Sequence, residues 1–254
     1  MHARACGTRT PPARTVPARP HRLRRAGAYA LPERITARRC PISPTPTPST
    51  QARDFTENYV PEDRALQVAR SLAHEVGLVP VRAGAGAALR LMAAAGGARA
   101  VVEIGTGTGV SGLWLLAGMR ADGVLTTIDV EAEHQRMARR IFLEAGYPAS
   151  RTRIITGRAL DVLPRLSDGA YDVVFVDGDR EEHGACVTGA LRLLRPGGVL
   201  ALSGALAGGR IADPASRDPQ TVALRELVRS LREAEEWVPA LLPVGDGLLV
   251  AVKR

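Results

Sequence analysis

Val101-Val102-Glu103-Ile104-Gly105-Thr106-Gly107-Thr108-Gly109-Val110-Ser111-Gly112 reads as an apolar strand that breaks into a glycine-rich loop and restarts as a helix. Asp129 closes the next apolar run, Val124-Leu125-Thr126-Thr127-Ile128. Glycines let a backbone close on a ligand, and a helix N-terminus turns its free N–H groups toward it. A carboxylate one strand away accepts hydrogen bonds from a ribose diol. Loop and acid together describe a nucleotide-type cofactor site. The spacing leaves the cofactor open, because Gly107-x-Gly109-x-x-Gly112 also satisfies the dinucleotide fingerprint that suggests NAD. A tight turn serving packing alone is the plainer alternative, and the joint occurrence of loop and acid weighs against it.

Strands and helices alternate outward from this motif. Strands are expected over 100–104, 124–129, 152–155, 171–176 and 199–203, with helices over about 110–119, 131–145, 159–166 and 181–194. The apolar runs lack strict alternation, as expected of strands covered on both faces. A helix over about 220–234 and apolar runs over 238–242 and 248–252 close the chain. Pro243-Val244-Gly245-Asp246-Gly247 between those runs has hairpin chemistry. The pattern predicts an α/β fold: a doubly wound, mostly parallel seven-stranded sheet with a terminal antiparallel hairpin. Its ligands bind at the carboxyl ends of the strands. Two helices precede the first strand, one from about Pro61-Glu62 to Gly77 and one over 84–95, and are expected to form a lid or substrate wall.

The chain has 254 residues and a net charge of +8, which looks like a nucleic-acid signature. Its distribution says otherwise. Residues 1–53 carry eleven arginines against one acid, Glu33, a balance of +10, so the remainder carries −2. The basicity belongs to a segment rich in Arg, Pro and Thr, expected to be a disordered extension. Residues 54–254 are expected to form the folded domain. Cys6, Cys40 and Cys186 make no metal-ligand spacing and no disulfide framework, which fits a reducing cytoplasm. No apolar run approaches the roughly 18 residues that span a bilayer, and the N-terminus lacks the apolar core of a secretory signal. Neither a nucleic acid nor a membrane is expected as a partner.

A short-chain NAD enzyme relies on a Tyr-x-x-x-Lys pair, and the chain's one lysine, Lys253, forms none. Glu103 stands two residues before the first glycine, a position usually apolar in the NAD version. Five further segments follow in order: Thr127-Ile128-Asp129; Arg158-Ala159-Leu160-Asp161-Val162-Leu163; Tyr171-Asp172-Val173-Val174-Phe175-Val176-Asp177-Gly178-Asp179; Leu194-Arg195-Pro196-Gly197-Gly198; and Leu242-Pro243-Val244-Gly245-Asp246-Gly247-Leu248. With the opening motif they resemble the catechol O-methyltransferase-like group of class I S-adenosylmethionine-dependent O-methyltransferases, bacterial type, over about residues 55–254. The resemblance implies a Rossmann-like methyltransferase fold and S-adenosylmethionine as cofactor.

It also implies residue roles. Gly105 and Thr106 would run past the methionine part of the cofactor, with Ser111 on its carboxylate and Val81 closing over that end, and Gly107 and Gly109 would belong to the same cofactor-binding loop. Glu103 would line the pocket, Asp129 would hold the ribose hydroxyls and Ala159 would present backbone to the adenine. Asp177 and Asp179 would sit beside the reacting methyl. Plainer readings stand next to these. Ser111 can be an ordinary first-turn helix residue, and Asp179 can cap the helix that begins at Arg180. Asp161 reads as solvated, His74 as a surface or packed helix residue, and Trp114 and Trp237 as core or interface. Arg158 is given no role.

The chain departs from the group at its metal site. Metal-dependent members hold magnesium through the first aspartate of an Asp-x-Asp-Lys segment and an Asp-Asn pair after the fifth strand. Asp177 keeps the first ligand, but Ser203-Gly204 stands where the pair would be. One carboxylate holds magnesium poorly, so no tight catalytic metal is expected. Arg180 replaces the lysine; it stays protonated and cannot accept a proton, but it can stabilise a phenolate or bind a carboxylate. His183 is the nearest candidate base, its plainer reading being an exposed helix histidine. The expected function is methyl transfer to an oxygen of a small phenolic substrate, with a non-catalytic S-adenosylmethionine-binding protein of the same fold as the alternative. A homodimer is compatible with the resemblance.

Overall fold

The computed structural model describes residues 50–254. Residues 1–49 of the expected extension lie outside the described residues. Helix α1, Thr50–Glu57, opens the described chain, ahead of the boundary expected at residue 54. No residue of α1 is buried. Glu57 ties it to the fold: its carboxylate accepts the Gly84 N–H at 3.1 Å and the Gly245 N–H at 2.5 Å.

Seven strands form one sheet: β1 Ala100–Ile104, β2 Val124–Asp129, β3 Thr152–Thr156, β4 Tyr171–Val176, β5 Leu194–Leu202, β6 Trp237–Leu242 and β7 Leu248–Lys253. Their order is β3-β2-β1-β4-β5-β7-β6. The first five are parallel, and β7 runs antiparallel to both β5 and β6. The doubly wound sheet with its closing antiparallel pair is therefore present. Strand β5 starts earlier than expected: Leu194 pairs with Tyr171, the chain bulges, and pairing resumes at Val199 opposite Val173.

Both faces of the sheet are covered, which explains the apolar runs. On β1, Val102 and Ile104 enter one core while Val101 enters the other; on β4, Val174 and Val176 oppose Val173 and Phe175. The first core is closed by α6 Ala159–Val162, α7 His183–Leu193 and α8 Pro219–Glu233. The second is closed by α2 Arg64–Glu75, α3 Ala83–Ala95, α4 Val110–Gly118 and α5 Ala132–Glu144. Helices α3 and α4 touch through missing side chains: a Cβ on Gly86 would collide with the Trp114 indole, and one on Gly118 with the Arg90 carbonyl. Trp114 and Trp237 are core residues, at 1% and 4% exposure, and His74 is exposed.

Helix α2 begins at Arg64 rather than at Pro61-Glu62, because Asp63 is the residue that caps it, accepting the Leu66 N–H at 3.0 Å. Glu62 instead pairs with Arg70, whose guanidinium also reaches the Val81 carbonyl at 2.8 Å. That bond fixes the loop entering α3. Among the described residues no helix is long and apolar enough to cross a membrane.

Candidate active site

Strand order reverses between β1 and β4, and there the loops at the carboxyl ends diverge into a crevice. Backbone bonds hold those loops side by side. Gly105 donates to the Ile128 carbonyl, Asp177 to Ile104, Gly157 to Asp129 and Ser203 to Val176, all at 2.8–3.0 Å. At Gly105, with φ +97°, an added Cβ would stand 2.9 Å from the Asp177 carbonyl oxygen. Only glycine lets β1 and β4 hand their loops over this closely.

A cavity of about 500 Å³ fills the crevice. Gly105, Thr106, Gly107, Ser111, Asp129, Ala159, Val81, Asp177 and Asp179 all line it. The Asp129 carboxylate accepts the Gly107 N–H through Oδ2 at 2.8 Å and the Glu131 N–H through Oδ1 at 2.9 Å. Asp179 accepts the Glu181 N–H at 3.0 Å and caps the turn Arg180–Glu182. Asp161 is exposed, and Arg158, given no role from sequence, lines the cavity and pairs with Glu182.

Two expected members do not reach the cavity. Gly109 caps α4 from a left-handed conformation, against Phe142. Glu103 is completely buried beneath the loop rather than lining the pocket. Thr127 donates to its Oε2 at 2.6 Å, and Thr106 and Thr127 hydroxyls lie 2.7 Å apart. When Glu103 is ionised, Thr127 gives its one proton to the carboxylate and Thr106 gives its own to Thr127. Burial pushes the Glu103 carboxyl up to about 7, opposed by hydrogen bonds from Ser111 and Thr127 and reinforced by the charges of Asp177 and Asp129. Glu103 Oε1 has no partner among the described residues.

A second cavity, of about 340 Å³, shares Val79, Pro80, Val81, Asp177 and Gly178 with the first. Arg82, Arg180, His183, Ser203 and Asp246 complete its polar wall, and Gly204 lines it as well. Burial pushes the Asp177 carboxyl up to about 6, against a hydrogen bond from Ser203 and the charge of Arg180. The Arg180 Nη2 lies 3.5 Å from Asp246 Oδ2, and Asp246 Oδ1 is held by the Gly208 N–H at 2.6 Å. The guanidinium packs on Gly204, where a Cβ would stand 3.1 Å from Nη2.

His183 is not the exposed helix histidine of the plainer reading. It is 5% exposed, and its Nε2 meets the Gly178 carbonyl at 3.2 Å. Burial holds its pKa below the usual imidazole value. Sequence reasoning missed His134, Val130 and Leu78 in the first cavity and Val79-Pro80 in both. Val79 is 94% exposed. Three apolar residues in a row after the helix-ending Gly77 were the available signal.

The family model described as O-methyltransferase matches residues 62–254. A relative from Mycobacterium tuberculosis that carries the name O-methyltransferase is 49% identical over 213 residues, covering 84% of this chain and 95% of its own. A protein from Corynebacterium glutamicum has a solved structure that superposes with a TM-score of 0.75 at 38% identity, covering 80% of this chain and 95% of that one. The O-methyltransferase TomG from Streptomyces achromogenes, involved in tomaymycin synthesis and solved in complex with S-adenosylmethionine, superposes with a TM-score of 0.71 at 32% identity, covering 79% and 94%.

Proposed function

We propose an acceptor and a set of residue roles from one premise: the chain belongs to the O-methyltransferase family and is an S-adenosylmethionine-dependent O-methyltransferase. When bound, S-adenosylmethionine supplies an electrophilic methyl group on its sulfonium. The acceptor is the hydroxyl of a small phenol. The observation behind this reading is the shared wall: the two cavities meet at Asp177 and Gly178, so a donor in one and an acceptor in the other face each other across that carboxylate.

The donor set of the first cavity suits the cofactor. Asp129 spends one lone pair of each oxygen on a backbone N–H and keeps others for ribose hydroxyls. Val130 and Ala159 give a flat base apolar cover. Thr106, its proton committed to Thr127, offers lone pairs to an ammonium group. Ser111 serves the cofactor carboxylate, and Glu103, from below, sets the direction of that hydroxyl. Asp177 takes the acceptor's proton, and Arg180 stabilises the oxygen as it ionises. His183 is a positioning residue that holds the Gly178 carbonyl and so the Asp177–Asp179 loop.

A divalent ion does not fit the residues beside Asp177. Ser203 bonds that carboxylate, Gly204 brings no ligand, and the Arg180 guanidinium packs on Gly204 and pairs with the next acid, Asp246. A guanidinium cation thus stands beside the carboxylate where a second metal ligand would have to approach. We also assign the protein to the cytoplasm, where a buried free thiol such as Cys186 stays reduced.

Methylation of a panel of phenols with and without EDTA tests the reading. Turnover that persists in EDTA is expected. Turnover that collapses in EDTA and returns with magnesium overturns the metal-independent scheme. Tight binding of S-adenosylhomocysteine with no turnover on any phenol overturns the phenolic acceptor.

A further inference from the structure

We infer that a third cavity, of about 360 Å³ behind Arg180 and His183, is a subsite for the far end of the methyl acceptor and takes an apolar arm ending in a carboxylate. The inference rests on the acceptor reading above. Arg180 and His183 line both this cavity and the acceptor cavity, so the two spaces meet at those side chains. A substrate whose hydroxyl lies at Asp177 can therefore extend past the guanidinium.

The walls specify the arm. One face of α8 supplies Leu224, Leu227 and the exposed Ala223, which suit a hydrocarbon or ring. The charged lining is two guanidiniums, Arg180 and Arg210, against the single acid Glu181. Arg210 Nε is bonded to the Ala207 carbonyl at 3.0 Å, which fixes that side chain on the loop facing α8. The first turn of α8, Pro219 to Thr221, also faces the cavity; its N-terminus is already capped by Asp218, whose carboxylate accepts the Thr221 N–H at 2.9 Å, so the guanidiniums and not the helix end would hold a ligand carboxylate.

The same boundary holds a buried polar atom without a partner. The Gly178 carbonyl can only accept, so His183 Nε2 carries the ring proton and Nδ1 is left as a lone pair. That Nδ1 has no partner among the described residues although the ring is 5% exposed. Ala207, on the cavity wall, is the one non-glycine residue with positive φ among the described residues, at +49°. Backbone outliers of this kind cluster at ligand sites.

The test is calorimetric titration, at pH 7.5, of protein saturated with S-adenosylhomocysteine. The probes are 4-methylphenol, 4-pentylphenol and 5-(4-hydroxyphenyl)pentanoate. The pentyl arm is expected to tighten binding at least tenfold over 4-methylphenol, and the carboxylate a further fivefold. Arg210→Ala should remove the carboxylate gain alone. Ala223→Trp, on an exposed helix face, should remove the arm gain and leave 4-methylphenol unchanged. Equal affinity for all three probes, or gains that survive both substitutions, overturns the subsite. If the pentanoate binds with the expected gains but is never methylated, the subsite stands and the phenolic acceptor reading falls.

Discussion

The Gly107 N–H donates to Asp129 Oδ2 at 2.8 Å, so the end of β2 holds the glycine loop of β1 in place. Asp129 is then both a shaper of the loop and a candidate ribose ligand. Asp129→Ala should weaken S-adenosylhomocysteine binding by about 1–3 kcal/mol, the cost of losing hydrogen bonds to a charged group. Calorimetry checks it, and unchanged affinity removes Asp129 from the cofactor site.

Glu103 links stability to pH. Its carboxyl is raised from 4.5 to about 7, so the folded state binds more protons than the unfolded one between those values. Its contribution to stability is present below about pH 4.5, declines as pH rises to about 7, and is flat above. The stability difference between wild type and Glu103→Gln should therefore shift by roughly 2–3 kcal/mol in favour of the variant from pH 5 to 8. Urea titrations at four pH values measure it. A shift in the opposite direction contradicts the assignment.

Asp177, raised to about 6, must be ionised to accept a proton. The ratio kcat/KM should climb about tenfold per pH unit below 6 and then level. Asp177→Asn should lower it and flatten that limb. A variant that keeps the wild-type profile excludes Asp177 as the proton acceptor.

Gly204 gives room to Arg180. Its φ is +68°, and a Cβ would stand 3.1 Å from Arg180 Nη2. Gly204→Ala should cost about 1–2 kcal/mol of stability through the left-handed backbone. Displacing the guanidinium should raise the KM for a phenol severalfold and leave S-adenosylhomocysteine affinity unchanged. An unchanged KM would show that Arg180 does not touch the acceptor.

Gly86 faces the indole of Trp114, which is 1% exposed and has nowhere to move. Alanine gains up to about 1 kcal/mol in helix propensity, but overpacking typically costs about 1–3 kcal/mol. Gly86→Ala should therefore be net destabilising by chemical denaturation. A stabilised variant would mean that α3 and α4 separate more readily than their contact suggests.

Sequence periodicity located β1, β2 and β4 residue for residue, because strands buried on both faces leave unbroken apolar runs between polar turns. Depth was harder to read. Glu103 shares its strand face with Val101, and that parity already aimed it into a core rather than a cavity. His183 stands at helical spacing with Cys186, Val187 and Ala190, all buried, so its burial was legible as well. The meeting of Arg180 with Gly204 and Asp246 was not. It depends on how the loops after β4, β5 and β6 converge, and no local pattern records that.

The Glu57 bonds to Gly84 and Gly245 carry a consequence for how such a protein can diversify. The cofactor cavity is drawn from one contiguous stretch, 73–182. The acceptor cavity draws on that stretch as well but adds Ser203, Gly204 and the 244–247 turn, whose Gly245 is held by Glu57 of the first described helix. Inheritance can then act on the two unequally: changes near the end of the described chain retune which molecule is chosen through the added wall, while the shared wall, residues 79–81 and 177–178, answers to both compartments at once.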